Sequence, residues 1–174
     1  MRRLIALFVL LLLAAPLGPA AQTRPPEPAI RLVLLVAVDQ LRFDYLTRFR
    51  AGFRHGLARL LTEGAVFTNA HHDHYPTVTA VGHATMLTGA TPAVSGIIGN
   101  DWFDRALGTH VTSVSDPNTQ IVGGTPGTGS SPHRLLVSTV GDELKAAWAA
   151  AGADAQPRVI GMSLKDRSAI LPAG

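Results

Sequence analysis

At 174 residues, with 47% apolar and 16% charged side chains, the chain is too apolar for general disorder and long enough for one domain with a packed core. It contains no cysteine, so stability has to come from the core or from a bound metal rather than from disulfides. The formal charge of +3 counts Arg2 and Arg3, and without them 13 basic residues face 12 acidic ones, which leaves no electrostatic case for a nucleic-acid or membrane partner.

Residues 1–21 read as a secretory signal: Arg2 and Arg3, an apolar run from Leu4 to Ala15, then Pro16 and small residues up to Ala20 and Ala21, where cleavage is expected. The run is shorter than the roughly 20 residues of a membrane span. A secreted or periplasmic chain without a membrane anchor is therefore expected. A proline-rich lead, 22–30, carries Pro25, Pro26 and Pro28. Arg31 to Val38 is a continuous valine- and leucine-rich run that predicts a strand buried on both faces of a parallel sheet, with Asp39 at its carboxyl end, where open α/β sheets place their ligand crevice. Leu57, Leu60 and Leu61 give Gly56 to Glu63 a helical pattern that stops at Gly64, and Ala65 to Ala70 reads as a second strand.

The stretch from His74 to His83 passes from proline-stiffened backbone into a helix start. Pro76 biases Tyr75 away from helical dihedrals, Thr77 and Thr79 suit an N-cap, and Ala84, Met86 and Leu87 carry the helix on to Gly89. Thr91 to Asn100 is a loop punctuated by Pro92, Gly96 and Gly99. Residues 101–135 read as a surface excursion, with a possible strand at Thr109 to Val114 and a segment, Gly123 to Pro132, of Gly, Thr, Pro and Ser alone. Ser138 or Thr139 then caps a helix expected to turn Val140, Leu144, Trp148 and Ala151 toward the core before Gly152, and Arg158 to Leu164 is another buried-type strand. The alternation predicts an α/β fold. Because the chain stops soon after its last predicted strand, it reads as the front part of a larger domain.

Asp39, Thr79, Asn100, Lys165 and Arg167 all fall at element ends or in the loops just after them. A threonine hydroxyl at a helix N-terminus lies where backbone N–H groups and the helix dipole favour a phosphate, and it could attack phosphorus if a metal ion eased the loss of its proton. Two cations two positions apart, Lys165 and Arg167, project to one side of an extended backbone and suit a phosphoryl group. His71, His72, Asp73 and His74 have no known ligand spacing, and neighbours on an extended segment face opposite ways. His83, on the helix behind Thr79, fits a packed, hydrogen-bonded histidine better than a base.

Val38 to Arg42, Tyr75 to His83, Leu87 to Gly89, Gly96 to Trp102, Ser163 to Arg167 and Ile170 to Gly174 together resemble the alkaline phosphatase superfamily, specifically its type I phosphodiesterase and nucleotide pyrophosphatase branch. Within that branch the chain is most similar to the phosphate-irrepressible alkaline phosphatases, which use a threonine nucleophile. The resemblance implies an α/β fold with a mainly parallel sheet flanked by helices, incomplete here at its C-terminal end. It implies two zinc ions, with Asp39 and Thr79 among their ligands and the remaining ligands beyond Gly174. It makes Thr79 the nucleophile of a phosphothreonine intermediate, and Asn100, 21 positions on (100 − 79), a donor to a phosphoryl oxygen. Lys165 and Arg167 become the pair that favours monoesters. The expected activity is hydrolysis of small phosphate monoesters. A phosphodiesterase or nucleotide pyrophosphatase of the same fold, which would bring nucleotides in as substrates, is the alternative within the enzyme class, and a non-catalytic truncated product is the alternative outside it. The 174 residues alone are expected to be inactive, and nothing in the sequence fixes an oligomeric state.

Overall fold

The computed structural model describes residues 30–123, 129–152 and 156–174. The expected signal peptide (1–21), nearly all of the lead (22–30) and the middle of the glycine-rich segment (124–128) lie outside the described residues. Residues 30–36 belong to a first unit, are exposed and have no regular secondary structure, while 37–174 form a second unit. In that second unit the elements are α1 (Phe43–Arg48), a single 3₁₀ turn (Arg50–Gly52), α2 (His55–Glu63), α3 (Thr79–Thr88), α4 (Pro92–Ser95), β1 (Asp101–Asp104), β2 (Thr109–Thr112), β3 (Ser115–Asp116), β4 (Gly129–Ser130), α5 (Val140–Ala150) and α6 (Asp166–Ala173). Among the described residues, the paired strands are two antiparallel pairs, β1 with β2 and β3 with β4.

The core is built on α3. Ala80, Val81 and Ala84 are fully buried and meet Ile97, Val114 and Leu171, with Trp102, Leu135 and Ile170 packed around them. Small residues on this face let the neighbouring helix approach closely, and α3 packs most extensively on α6. The helix ends on Gly89 in the left-handed conformation that glycine adopts at no steric cost (φ 66°). Gly96 closes α4 in the same way at φ 78°, and a Cβ there would come within 2.8 Å of the Leu136 side chain. Thr139 caps α5 through a reciprocal box: its Oγ1 accepts from the Asp142 N–H at 3.2 Å, and Asp142 Oδ2 accepts from the Thr139 N–H at 2.9 Å.

Several expected features take a different form. The runs 31–38, 65–70 and 158–164, expected as parallel strands, have no ladder partners among the described residues. Their side chains show why: Met162 is 88% and Phe67 80% exposed, and a strand that is apolar on both sides is stable only when neighbours cover both faces. The stripe of Val140, Leu144 and Trp148 on α5 is exposed too, with Val140 at 62%, rather than turned into the core. Lys165 and Arg167 do not share an extended backbone. Asp166 favours the positive end of a helix dipole, and α6 begins there, with Lys165 as its N-cap and Arg167 in its first turn. That helix also delivers Leu171, fully buried, from a segment with no sequence pattern to announce it. Of the excursion, the strand expected over Thr109 to Val114 covers Thr109–Thr112, and the segment is not wholly at the surface, since Val114 is buried in the core.

The excursion is pinned at Asp116, whose carboxylate accepts from the Ser131 hydroxyl at 2.6 Å and from the Asn118 N–H at 2.9 Å. The Ser131 bond, then the Asn118 N–H, outweigh partial desolvation and, with the nearby His133, hold this carboxyl below the usual carboxylate range. A group whose pKa is lowered on folding contributes stability above its unfolded value and loses it as pH falls through the folded one. The β3–β4 pair should therefore hold at neutral pH and open in acid below the ordinary carboxylate range, with Asp116→Asn removing that acid dependence. Amide exchange at Asn118 and Ser131 across an acid titration would check this. Leu171→Ala should lower unfolding stability by about 3 kcal/mol and Thr139→Ala by about 1 kcal/mol, both read from denaturant midpoints.

Candidate functional site

The site forms where a turn, a helix start and a second helix start meet. Asp39 sits in a turn closed by the Leu41 N–H on the Val38 carbonyl at 3.4 Å. The next residue, Gln40, has φ 61°, a left-handed conformation that costs a residue with a side chain on the order of 1 kcal/mol. Thr79 is the first residue of α3, and the N-cap position belongs to Val78, whose side chain makes no capping bond. The Thr79 hydroxyl is therefore not spent on its own helix. It donates instead to Asp39 Oδ2 at 2.9 Å, across 40 positions of sequence.

Lys165, the N-cap of α6, brings its Nζ to 3.3 Å from that same Oδ2. Partial desolvation opposes ionisation of Asp39, but the Thr79 hydroxyl, the Lys165 ammonium and the more distant His83 outweigh it and hold the carboxyl below the usual carboxylate range. Asp39 is thus an ionised acceptor and a weak base.

Asn100 joins through the backbone. Its Oδ1 accepts from the Ala80 N–H at 2.9 Å, so one first-turn amide that was expected to face a ligand is already used. Because an N–H can only be met by the amide oxygen, this bond fixes the orientation of the Asn100 side chain and leaves its NH₂ as a donor. Arg167 is brought less close. Its guanidinium lies 3.5 Å from Asp166, its Nε is buried without a partner among the described residues, and no bond joins it to Asp39, Thr79 or Asn100. Asp39, Thr79 and Lys165 therefore meet directly, Asn100 adjoins them through a peptide, and Arg167 stands on the same helical turn as Lys165.

His83 is the packed, hydrogen-bonded histidine that the sequence suggested. It is 6% exposed, and its Nδ1 lies 2.8 Å from the Thr79 carbonyl oxygen. Its i, i+4 spacing from Thr79 on a predicted helix was the available signal. His72 and His74 place their rings 5.1 Å apart. Among the described residues no three His, Cys, Asp or Glu side chains gather closely enough to hold a metal ion. The donors Asp39 and Thr79, a carboxylate and a hydroxyl on one hydrogen bond, have the chemistry of two ligands of a zinc site. A catalytic zinc takes three protein ligands, so these two fit such a site without completing it.

Alkaline phosphatase PafA of Elizabethkingia meningoseptica is 40% identical over 171 residues, 97% of this chain and 30% of the relative. Alkaline phosphatase PhoV of Synechococcus elongatus is 44% identical over 146 residues, 83% of this chain and 26% of the relative. The chain thus spans under a third of the length of these relatives. Crystal structures of PafA, the wild type and a variant with four substitutions, superpose with a TM-score of 0.70 at 43% and 41% identity, over 78% and 79% of this chain and 26% of theirs, and so give it the α/β fold of those enzymes. A family model described as type I phosphodiesterase / nucleotide pyrophosphatase matches residues 33–159, and the chain belongs to that family.

Proposed function

We propose that this chain carries the nucleophile end of an exported phosphohydrolase that cleaves small phosphate monoesters through a phosphothreonine at Thr79. The observation that carries the proposal is the 2.9 Å bond from the Thr79 hydroxyl to the ionised Asp39 at the start of α3. In the reaction the Thr79 oxygen forms a bond to phosphorus as the bond to the leaving alcohol breaks. Water then attacks the phosphothreonine, releasing phosphate and restoring the hydroxyl. Asp39 aims the hydroxyl and, as a weak base, does not by itself remove its proton. Two zinc ions, with Asp39 and Thr79 among their ligands, would when bound lower the cost of that proton loss and stabilise the leaving oxygen.

The other residues act on the phosphoryl group. The Asn100 NH₂ donates to a non-bridging oxygen, and Lys165 and Arg167 supply positive charge that is worth most in the transition state, where charge on the leaving oxygen grows. Arg167 stands in the first turn of α6 beside Lys165, with no bond to Asp39 to break. Support comes also from the solved PafA variant, whose substitutions replace a threonine and an asparagine 21 positions apart and a lysine and an arginine two apart; Thr79 and Asn100, and Lys165 and Arg167, have the same spacings.

A second reading, a phosphodiesterase or nucleotide pyrophosphatase, is favoured by the description of the matching family. The two readings differ in the charge that Lys165 and Arg167 meet: a monoester dianion profits from both cations, whereas a diester carries one charge fewer. In the full-length enzyme, Lys165→Ala combined with Arg167→Ala should depress phenyl phosphate hydrolysis at least tenfold more than hydrolysis of the corresponding diester, and a wild-type preference for the diester would reject the monoesterase reading. Thr79→Ala should remove turnover by about 10³-fold or more, and acid-quenched enzyme should carry its phosphate on the peptide that contains Thr79. Phosphate trapped on another residue would overturn the proposal.

A further inference from the structure

The Thr79–Ala80 peptide is held at both ends by side chains. Its carbonyl oxygen, on Thr79, accepts from His83 Nδ1 at 2.8 Å, and its N–H, on Ala80, donates to Asn100 Oδ1 at 2.9 Å. In a trans peptide these two groups point in opposite directions, so His83 and Asn100 grip the same plane from opposite sides. A carbonyl cannot donate, so Nδ1 carries the hydrogen and the tautomer at that nitrogen is set. We infer that His83 is a positioning residue: with Asn100 it clamps the peptide that follows the nucleophile and so fixes the direction in which the Thr79 side chain leaves the backbone.

A general packing role explains less. His83 lies on the face of α3 that also buries Ala80, Val81 and Ala84, where an apolar side chain would fill space without the cost of burying an imidazole. The position of the ring matters as well. Its Nδ1 meets the backbone of the same residue whose hydroxyl donates to Asp39, so both contacts act on Thr79. With the hydroxyl on Asp39 and the adjoining peptide held twice, Thr79 has three fixed points. A misplacement of about 1 Å in such a group can cost on the order of 100-fold in rate.

This inference rests on Thr79 being the nucleophile, and the experiment separates the two claims. Asparagine carries an N–H donor at the same number of bonds from Cα as histidine Nδ1, whereas glutamine places its donor at the distance of Nε2. In the full-length enzyme, His83→Ala and His83→Gln should lower kcat by about 10- to 100-fold with KM changed less than threefold, and His83→Asn should recover most of the loss. Exchange of the Ala80 amide, measured on the same proteins, should speed up by at least about threefold in the alanine and glutamine variants and return toward wild type in asparagine. Equal kcat and equal Ala80 exchange in all three variants would overturn the clamp, as would rescue by glutamine rather than asparagine. Should Ala80 exchange follow the expected order while Thr79→Ala keeps full activity, the clamp stands and the assignment of the nucleophile fails.

Discussion

The arrangement of the site depends on one hydrogen bond made by a residue that could have served elsewhere. A threonine at an N-cap position turns its hydroxyl back to cap its own helix, but Thr79 is the first residue of α3 and the N-cap belongs to Val78, whose side chain makes no capping bond. The helix forgoes a contribution of about 1 kcal/mol and the hydroxyl points instead at Asp39. Helix stability at that end is recovered by other means: Asn100 takes the Ala80 N–H, and the buried face of α3 is packed against Ile97, Val114 and Leu171. Tertiary packing, rather than a cap, holds the helix where the chemistry needs it.

Electrostatics follow from the same bond. Asp39 is approached by a hydroxyl, an ammonium and, farther off, an imidazole, all of which favour its charged form. A carboxylate so surrounded serves as an anchor for hydrogen bonds and cations and is unsuited to carrying a proton away. The proposed division of labour follows: Asp39 would orient the hydroxyl, the cations on α6 would meet the phosphoryl charge, and metal ions, when bound, would ease loss of the hydroxyl proton. Lys165 spans two of these tasks, since its ammonium reaches the Asp39 carboxylate in the same structure in which its neighbour Arg167 keeps a buried Nε without a partner among the described residues.

What the sequence conveyed divides along physical lines. Helices whose ends carry local chemistry were legible: Gly64 and Gly89 mark the ends of α2 and α3, and Thr139 caps α5 as expected. The core residues Ala80 and Val81 were not named by any such signal. Nor was Leu171, because α6 is only eight residues long and contains Pro172, so its helical period is weak, and a lysine, an aspartate and an arginine at its start read equally well as a polar strand end. The apolar runs at 65–70 and 158–164 were legible as segments that need cover, but pairing is a property of partners distant in sequence, and no local signal states which partner is present.

At the site, positions were more legible than contacts. The element ends named Asp39, Thr79, Asn100, Lys165 and Arg167, because α/β chains collect their functional groups there. Which atoms meet was not legible, since the Asp39–Thr79 bond spans 40 positions and the Asp39–Lys165 pair 126. Nor does an extended backbone between Lys165 and Arg167 survive; a helix start rotates successive side chains by about 100°, which turns the two cations away from a common side and lets only Lys165 reach Asp39. The result is an asymmetric pair, one cation engaged with Asp39 and the other beside Asp166. Under the proposed function the two residues would have different parts: substrate would have to draw Lys165 off the Asp39 carboxylate, whereas Arg167 has no bond to Asp39 to break.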